Sequence, residues 1–163
     1  MLAAGGQRED IIVMKNLFEA GTAREIEERI AKLGLKSERQ WGKMTAPQAM
    51  AHCSAVMEWA VGDRVEPRMF LGRILGPLVK SQVLKDEKPM ARNSPTAKSL
   101  VVSDERELGK ECTRLSTLVE RFCAGGLQGC TKNPHTFFGQ MTPEEWATLM
   151  YKHVDHHLRQ FGV

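Results

Sequence analysis

The sequence predicts an all-α fold: a single domain built as a four-helix bundle. Apolar residues recur at helical spacing in four long segments, and no segment alternates apolar and polar residues as a half-buried strand does. Residues that start and stop helices bound these segments, which favours helices packed on helices. The chain has 163 residues, 42% of them apolar. That length suits one domain with its own hydrophobic core.

The first two helices are predicted from the residues at their ends. The first would begin at Thr22, with Glu25 completing a capping box in which each side chain accepts a hydrogen bond from a free backbone N–H, and would stop at Gly34. The second is expected over residues 45–61. A threonine caps it and Pro47 is tolerated in its first turn.

A short broken helix and a long loop are predicted between the second and third bundle helices. Apolar residues recur at helical spacing over 69–79, but glycines and a proline interrupt them, and a polar loop follows over 85–98. Residues 64–98 carry eight Lys or Arg against three Asp or Glu. This excess of positive charge would suit an anionic substrate, and an ordinary solvated loop is the alternative.

The last two helices have clear boundaries. The third is expected over about residues 104–124, with Gly125 next to its end. The fourth begins at Thr142, which precedes Pro143 at the first helical position and Glu145 at the third. It runs almost to the end of the chain.

Composition and charge restrict the class of protein. Residues 1–15 are interpreted as an extended or poorly ordered lead, and residues 16–163 as the bundle domain. A net charge of +3, with no basic helix face or recognition motif, predicts no nucleic-acid partner. No apolar run has the length of a membrane span or a signal peptide, and the four cysteines form no CxxC pair. We therefore expect a cytoplasmic protein with free thiols and no membrane partner.

Two histidines of the last helix fall on its apolar face. On a helical wheel with Trp146 at zero, His153 lies at about 340° and His157 at about 20°, beside Leu149 and Met150. The two histidines are one turn apart, which is the spacing that lets two imidazoles bind one metal ion.

The second helix also directs a histidine inward. Ala49 and Ala55 lie within about 60° of His52 on the wheel and leave space beside its ring. Inward imidazoles need partners for both ring nitrogens, because each unpaired ring would cost roughly 1–3 kcal/mol. A divalent metal ion bound by His52, His153 and His157 would supply one partner to each, and hydrogen-bonded core histidines are the alternative.

Three histidine ligands leave open coordination positions, which is typical of catalytic metal sites. His135, in the loop before the last helix, is a candidate for a helper acid or base. The wheels place Glu58, Lys152 and Asp155 on solvated faces, so the sequence offers no carboxylate as general base. His156 falls on the flank of its helix, where a surface role is expected.

Four segments carry a recognisable pattern. They are MTAPQAMAHC at 44–53, KSQVLK at 80–85, NPHTFFGQMTPEEW at 133–146 and KHVDHHLRQF at 152–161. With them the chain, over about residues 14–163, resembles the DinB/YfiT-like superfamily of metalloenzymes, and within it a bacterial branch of unknown function. The resemblance implies an up-down-down-up four-helix bundle. It also implies a Zn²⁺ or Ni²⁺ site with one histidine from the second helix and two from the fourth, at the positions of His52, His153 and His157.

The resemblance also implies the kind of chemistry. Members of that superfamily include transferases and isomerases that use low-molecular-weight thiols, and metal-dependent hydrolases, and many are dimers. We therefore expect a metal-dependent enzyme that acts on a small-molecule substrate, by thiol S-transfer or by hydrolysis, through a metal-activated thiolate or water. A non-catalytic, metal-stabilised binding or stress-response protein is the alternative, because a shared fold does not transfer function. A homodimer is left open.

Overall fold

A computed structural model describes residues 14–34 and 36–163 of the chain. The regular elements of this part are α1 (Ala20–Ala31), α2 (Ala46–Ala60), α3 (Phe70–Leu84), a 3-10 turn (Lys98–Leu100), α4 (Leu108–Gly129) and α5 (Pro143–Gln160). Within these ranges the only strand-like pairing is an isolated bridge between His135 and Gly139. The all-α prediction is confirmed. The lead predicted over 1–15 lies, except for its last two residues, outside the described residues.

Helices α2 and α4 form the most extensive helix–helix contact. Both α1 and α2 pack against α4 and against α5, and in the described part of the chain no Cα atoms of α1 and α2 approach within 8 Å of each other. The buried apolar side chains of these four helices form one cluster. Helix α3 packs on the outside, against α5. The up-down-down-up order of the bundle and the homodimer stay predictions.

The predicted starts of α2 and α5 are confirmed. In α5 the Thr142 hydroxyl accepts a hydrogen bond from the Glu145 N–H at 3.2 Å, and the Glu145 carboxylate accepts one from the Thr142 N–H at 2.9 Å. In α2 the capping box pairs Thr45 with Gln48. Both boxes satisfy backbone donors that the first helical turn leaves free.

The capping box predicted for α1 is wrong. The helix begins two residues earlier than expected, with Glu19 at the N-cap, and Thr22 lies buried inside the first turn. The Thr22 hydroxyl donates to the Glu19 carboxylate at 3.4 Å, so it bonds backward along the chain and not forward to Glu25. A turn in which Asn16 accepts from the Phe18 N–H at 3.0 Å redirects the chain just before this helix.

Helix α4 begins later than predicted and is interrupted where a glycine was expected to end it. Its first residue is Leu108, and residues 104–107, which were predicted to be helical, are not. At Gly126 the backbone takes φ 51° and ψ −145°, a conformation that glycine adopts at little cost. The long continuous part of α4 therefore ends beside this residue, as the Gly125–Gly126 pair predicted.

Helix α3 is longer than the short broken helix predicted, and it packs through its glycines and not through its apolar stripe. Its buried residues are Gly72 and Gly76, which lie against the backbone of Phe137. Several of its large apolar residues are exposed, namely Phe70, Leu71, Ile74, Leu75 and Leu78. Close approach of two backbones thus decides the orientation of this helix. None of the helices within the described ranges is both long and apolar enough to cross a bilayer.

Two charged residues of α5 are buried where the wheel predicted a solvated face. Lys152 donates from Nζ to the Val83 carbonyl at the end of α3, at 2.6 Å. Asp155 accepts from Arg29 of α1 and from Arg159, each at 2.7 Å. The wheel prediction for Lys152 and Asp155 is wrong because α1 and α3 cover that side of α5 and provide partners for both charges.

The variant Gly76→Ala is expected to lower the free energy of unfolding by about 1–3 kcal/mol, as overpacking does, although alanine is the better helix former. A Cβ at this position would collide with the Phe137 carbonyl oxygen, which belongs to the backbone and cannot rotate away. Gly21→Ala in α1 is the matched control, since its Cβ would meet nothing within 4 Å. The midpoints of urea unfolding measure the stability of both variants. Equal midpoints for Gly76→Ala and Gly21→Ala would contradict the close approach of α3 to Phe137.

Candidate metal centre

His52, His153 and His157 form one cluster in the interior of the protein. Their ring centroids are 4.9, 4.9 and 5.0 Å apart, a nearly equilateral triangle. One nitrogen from each ring can be chosen so that all three lie within 4.8 Å of one another. The structure thus brings the three predicted residues together, and their role as metal ligands stays a prediction.

Helices α2 and α5 position the three rings. His153 and His157 are one turn apart on the face of α5 that also buries Trp146 and Met150. His52 lies on α2, between small alanine residues that leave room for the rings of the facing helix. His52 and His157 are only 3% and 6% exposed. His153 is half-buried, so solvent reaches part of this residue.

The outer nitrogen of His52 is held by a backbone carbonyl. Nδ1 lies 3.0 Å from the Leu100 oxygen, so in the neutral ring Nδ1 carries the hydrogen and Nε2 keeps its lone pair. The turn that presents this carbonyl is itself fixed to the chain after α2. Arg64 donates to the Ser99 carbonyl at 3.2 Å, and the Ser99 hydroxyl donates to Glu66 at 2.6 Å.

The outer nitrogen of His157 is held by a side-chain amide. Nδ1 lies 2.8 Å from Oε1 of Gln160, whose Nε2 donates to the Trp41 carbonyl at 2.7 Å. Because the amide must present its oxygen to the ring, Nδ1 of His157 carries the hydrogen and Nε2 is the free lone pair. A Cβ at Gly42 would lie 2.5 Å from Nε2 of Gln160, so a glycine is needed beside this amide.

The third ring, that of His153, faces the first. Its Nε2 lies 3.0 Å from Nε2 of His52. Two nitrogens that bind one zinc ion at about 2.0–2.1 Å lie roughly 3–3.4 Å apart in tetrahedral or slightly compressed geometry. Nδ1 of His153 is buried and has no hydrogen-bond partner among the described residues. The donor set therefore fits a divalent ion, with the outer nitrogen bonded in two of three rings.

Burial keeps these imidazoles neutral. Desolvation lowers the pKa of all three rings, and it lowers that of His157 to about 3. Each ring's neighbours add to the effect, since a second positive charge would be repelled by the first. At neutral pH the cluster thus offers lone pairs and not charges, which is the protonation state that metal ions require.

His135, the candidate helper, lies outside this cluster. Its Nδ1 accepts hydrogen bonds from the N–H groups of Phe137 and Phe138, both at 3.1 Å, and its ring stacks on Phe138 at 4.6 Å. Burial lowers its pKa to about 4, so the ring is neutral at pH 7. These contacts give His135 a structural role in the turn before α5. Its catalytic role stays a prediction.

Other titratable residues near the cluster have their own partners or surroundings. The ring of His156 lies edge-on to that of His157 at 5.1 Å and points toward Trp41. Cys53 is fully buried, and burial raises the pKa of its thiol far above the usual range, so it stays protonated. Glu58 pairs with Arg114. In the described ranges no Asp, Glu or Cys joins the three histidines.

Sequence reasoning missed the two groups that hold the outer nitrogens. Gln160 could have been found, because it follows His157 by three residues and so shares its face of the helix. The carbonyl of Leu100 could not, since a backbone acceptor in a polar connection has no side-chain pattern.

Comparisons with known proteins gave one match. One family model matches residues 15–162, which include all three histidines. No curated protein and no solved structure matches the chain. Because the match spans nearly all of its length, the chain belongs to the family described as "Protein of unknown function (DUF1569)".

Proposed function

We propose that this protein is a metal-dependent enzyme in which His52, His153 and His157 hold one divalent ion, Zn²⁺ or Ni²⁺, and which acts on a small molecule. The convergence of three neutral ring nitrogens supports this most directly. Acceptors already hold the outer nitrogens of His52 and His157. Such partners orient a ligating imidazole and raise its basicity.

An open coordination position favours catalysis over a purely structural role. Structural zinc sites are closed by four protein ligands, whereas catalytic sites keep a place for water or substrate. The cluster holds three histidines, with no further Asp, Glu or Cys ligand from the described part of the chain. An ion bound here would lower the pKa of a water or thiol that reaches it and so supply a nucleophile near pH 7.

The proposed chemistry is S-transfer from a low-molecular-weight thiol, or hydrolysis. The rings of His52 and His157 are buried and stay fixed by their outer hydrogen bonds. His135 is the proposed helper; because its Nδ1 accepts from two backbone N–H groups, its neutral ring would act through Nε2–H as a hydrogen-bond donor. The proposal includes the DinB-like bundle topology, for which the packing of α1 and α2 on α4 and α5 is the support.

Metal content tests the ligand assignment. Wild-type protein dialysed against Zn²⁺ or Ni²⁺ should retain about one ion per chain, as one three-histidine site binds one ion. His153→Ala should retain almost none. His156→Ala, the matched control three residues later on the same helix, should retain the wild-type amount. Elemental analysis measures this, with circular dichroism to check folding. Full metal content in folded His153→Ala protein would refute the assignment.

The metal-free protein should lose stability as the pH falls below about 6.5. The three folded-state pKa values are lowered, so the unfolded chain takes up protons from about pH 6.5 downward while the folded cluster does not. Each histidine then removes up to about 1.4 kcal/mol of unfolding free energy per pH unit. Urea unfolding in EDTA at pH 7.5, 6.5 and 5.5 measures the slope. His157→Gln should flatten it, and an unchanged slope would contradict the buried neutral state of this ring.

Cobalt substitution tests whether a coordination position is open. In Co²⁺-loaded wild type, glutathione should change the visible absorption spectrum, because its thiolate would enter the cobalt coordination shell. S-methylglutathione, which has no free thiol, is the control and should leave the spectrum unchanged. A spectrum that glutathione does not alter would favour the non-catalytic, metal-stabilised alternative over the thiol transferase.

A further inference from the structure

A cleft of about 480 Å³ lies beside the histidine cluster. It is lined by Trp41, by Met90 and Arg92 of the loop after α3, and by His156 and Arg159 of α5. Its volume lies within the range of sites for small organic ligands. Three separate parts of the chain thus enclose one cleft at the C-terminal end of α5.

The wall of this cleft is connected directly to one of the proposed metal ligands. The ring of His156 contacts that of His157 edge-on at 5.1 Å. On the other wall, the Trp41 carbonyl accepts from Gln160, and the same amide accepts from Nδ1 of His157. A molecule in the cleft would therefore contact His156, whose ring contacts that of His157 in the cluster.

The cleft is positively charged. Arg92 lies over the Trp41 ring, 4.2 Å from its centroid, which holds the guanidinium in place without neutralising it. Asp155 binds Nε of Arg159 and also binds Arg29, so two guanidinium groups share one carboxylate. The described residues that line the cleft include no Asp or Glu.

The loop that contributes Arg92 is anchored to α5. The buried Nζ of Lys152 donates to the carbonyls of Val83 and Asp86, at 2.6 and 2.7 Å. These two bonds fix the end of α3 and the start of the loop against the helix that carries the histidines. The anchored loop thus contributes Arg92 to the cleft, and α5 contributes Arg159.

We propose that this cleft binds the oxyanion group, carboxylate or phosphate, of the small molecule on which the metal centre acts, with Arg92 and Arg159 as its donors. A guanidinium presents paired N–H groups that match two oxygens of a carboxylate or phosphate. Nε of Arg159 is occupied by Asp155, so its terminal nitrogens are the ones left to donate to a ligand. The half-buried side chains of Trp41 and Met90 line the cleft and offer apolar surface to the rest of the molecule. Only the claim that the bound molecule is a substrate rests on the proposed enzymatic function; anion binding in the cleft does not.

Calorimetric titration of the metal-loaded full chain tests the cleft. Succinate and inorganic phosphate are the probes, and succinamide is the uncharged control of the same shape as succinate. Succinate or phosphate should bind and succinamide should not, and which of the two binds more tightly identifies the oxyanion. Arg92→Met should weaken that binding at least tenfold, and Arg159→Met likewise. Arg24→Met, an exposed arginine of α1 that does not line the cleft, should leave it unchanged.

The outcomes separate this proposal from the proposed function. Binding of succinamide as strong as that of succinate, wild-type affinity in Arg92→Met, or no binding of either anion would overturn the oxyanion site. Metal content is measured in the same samples. A chain that binds no metal but binds succinate in an Arg92-dependent way would support the oxyanion site and refute the metalloenzyme. A chain that binds metal but neither anion would refute the oxyanion site and leave the metalloenzyme proposal standing.

Discussion

Three imidazole rings placed side by side in a helical core are the constraint on which the rest of this structure depends. Desolvation forbids charge on the rings, and each neutral ring still presents one donor and one acceptor that need partners. The helix backbones cannot supply these partners, because their own groups are already paired. The Leu100 carbonyl serves His52, and the Gln160 side chain of α5, itself held by the Trp41 carbonyl, serves His157.

The same requirement accounts for the irregular half of the chain. The connection between α3 and α4 is long because it must anchor on Lys152 at one end and deliver Leu100 to His52 at the other. The segment before α2 must approach α5 closely enough for the Gln160 amide to reach it, which is why Gly42 has no room for a side chain. The Gln160–Trp41 bond and the two bonds of Lys152 thus hold two loops against α5, and residues of both loops line the cleft.

Much of this arrangement could be predicted from local rules, and the predictions that failed share one cause. Caps and periodicity located α2 and α5, and the wheel directed His52, His153 and His157 inward. In α5 the two histidines lie on a buried apolar face, and α2 is buried on nearly all sides. The wheel fails where a neighbour covers a polar side, as at Asp155, or where two backbones meet, as at Gly76. Both are long-range contacts, and no pattern within one helix encodes them.

The unpaired nitrogen of His153 distinguishes this ring from its two neighbours. In the metal-free cluster, one N–H···N bond can join His153 to His52, and Nδ1 of His153 is then left as a buried acceptor without a donor. The proton on Nε2 that makes this bond also blocks the lone pair that a metal ion would need. Nε2 of His52 and His157 is already free, so an ion bound here would require a proton shift only in His153, from Nε2 to Nδ1. Outer hydrogen bonds therefore fix the tautomers of His52 and His157 in advance, and no outer partner among the described residues fixes that of His153.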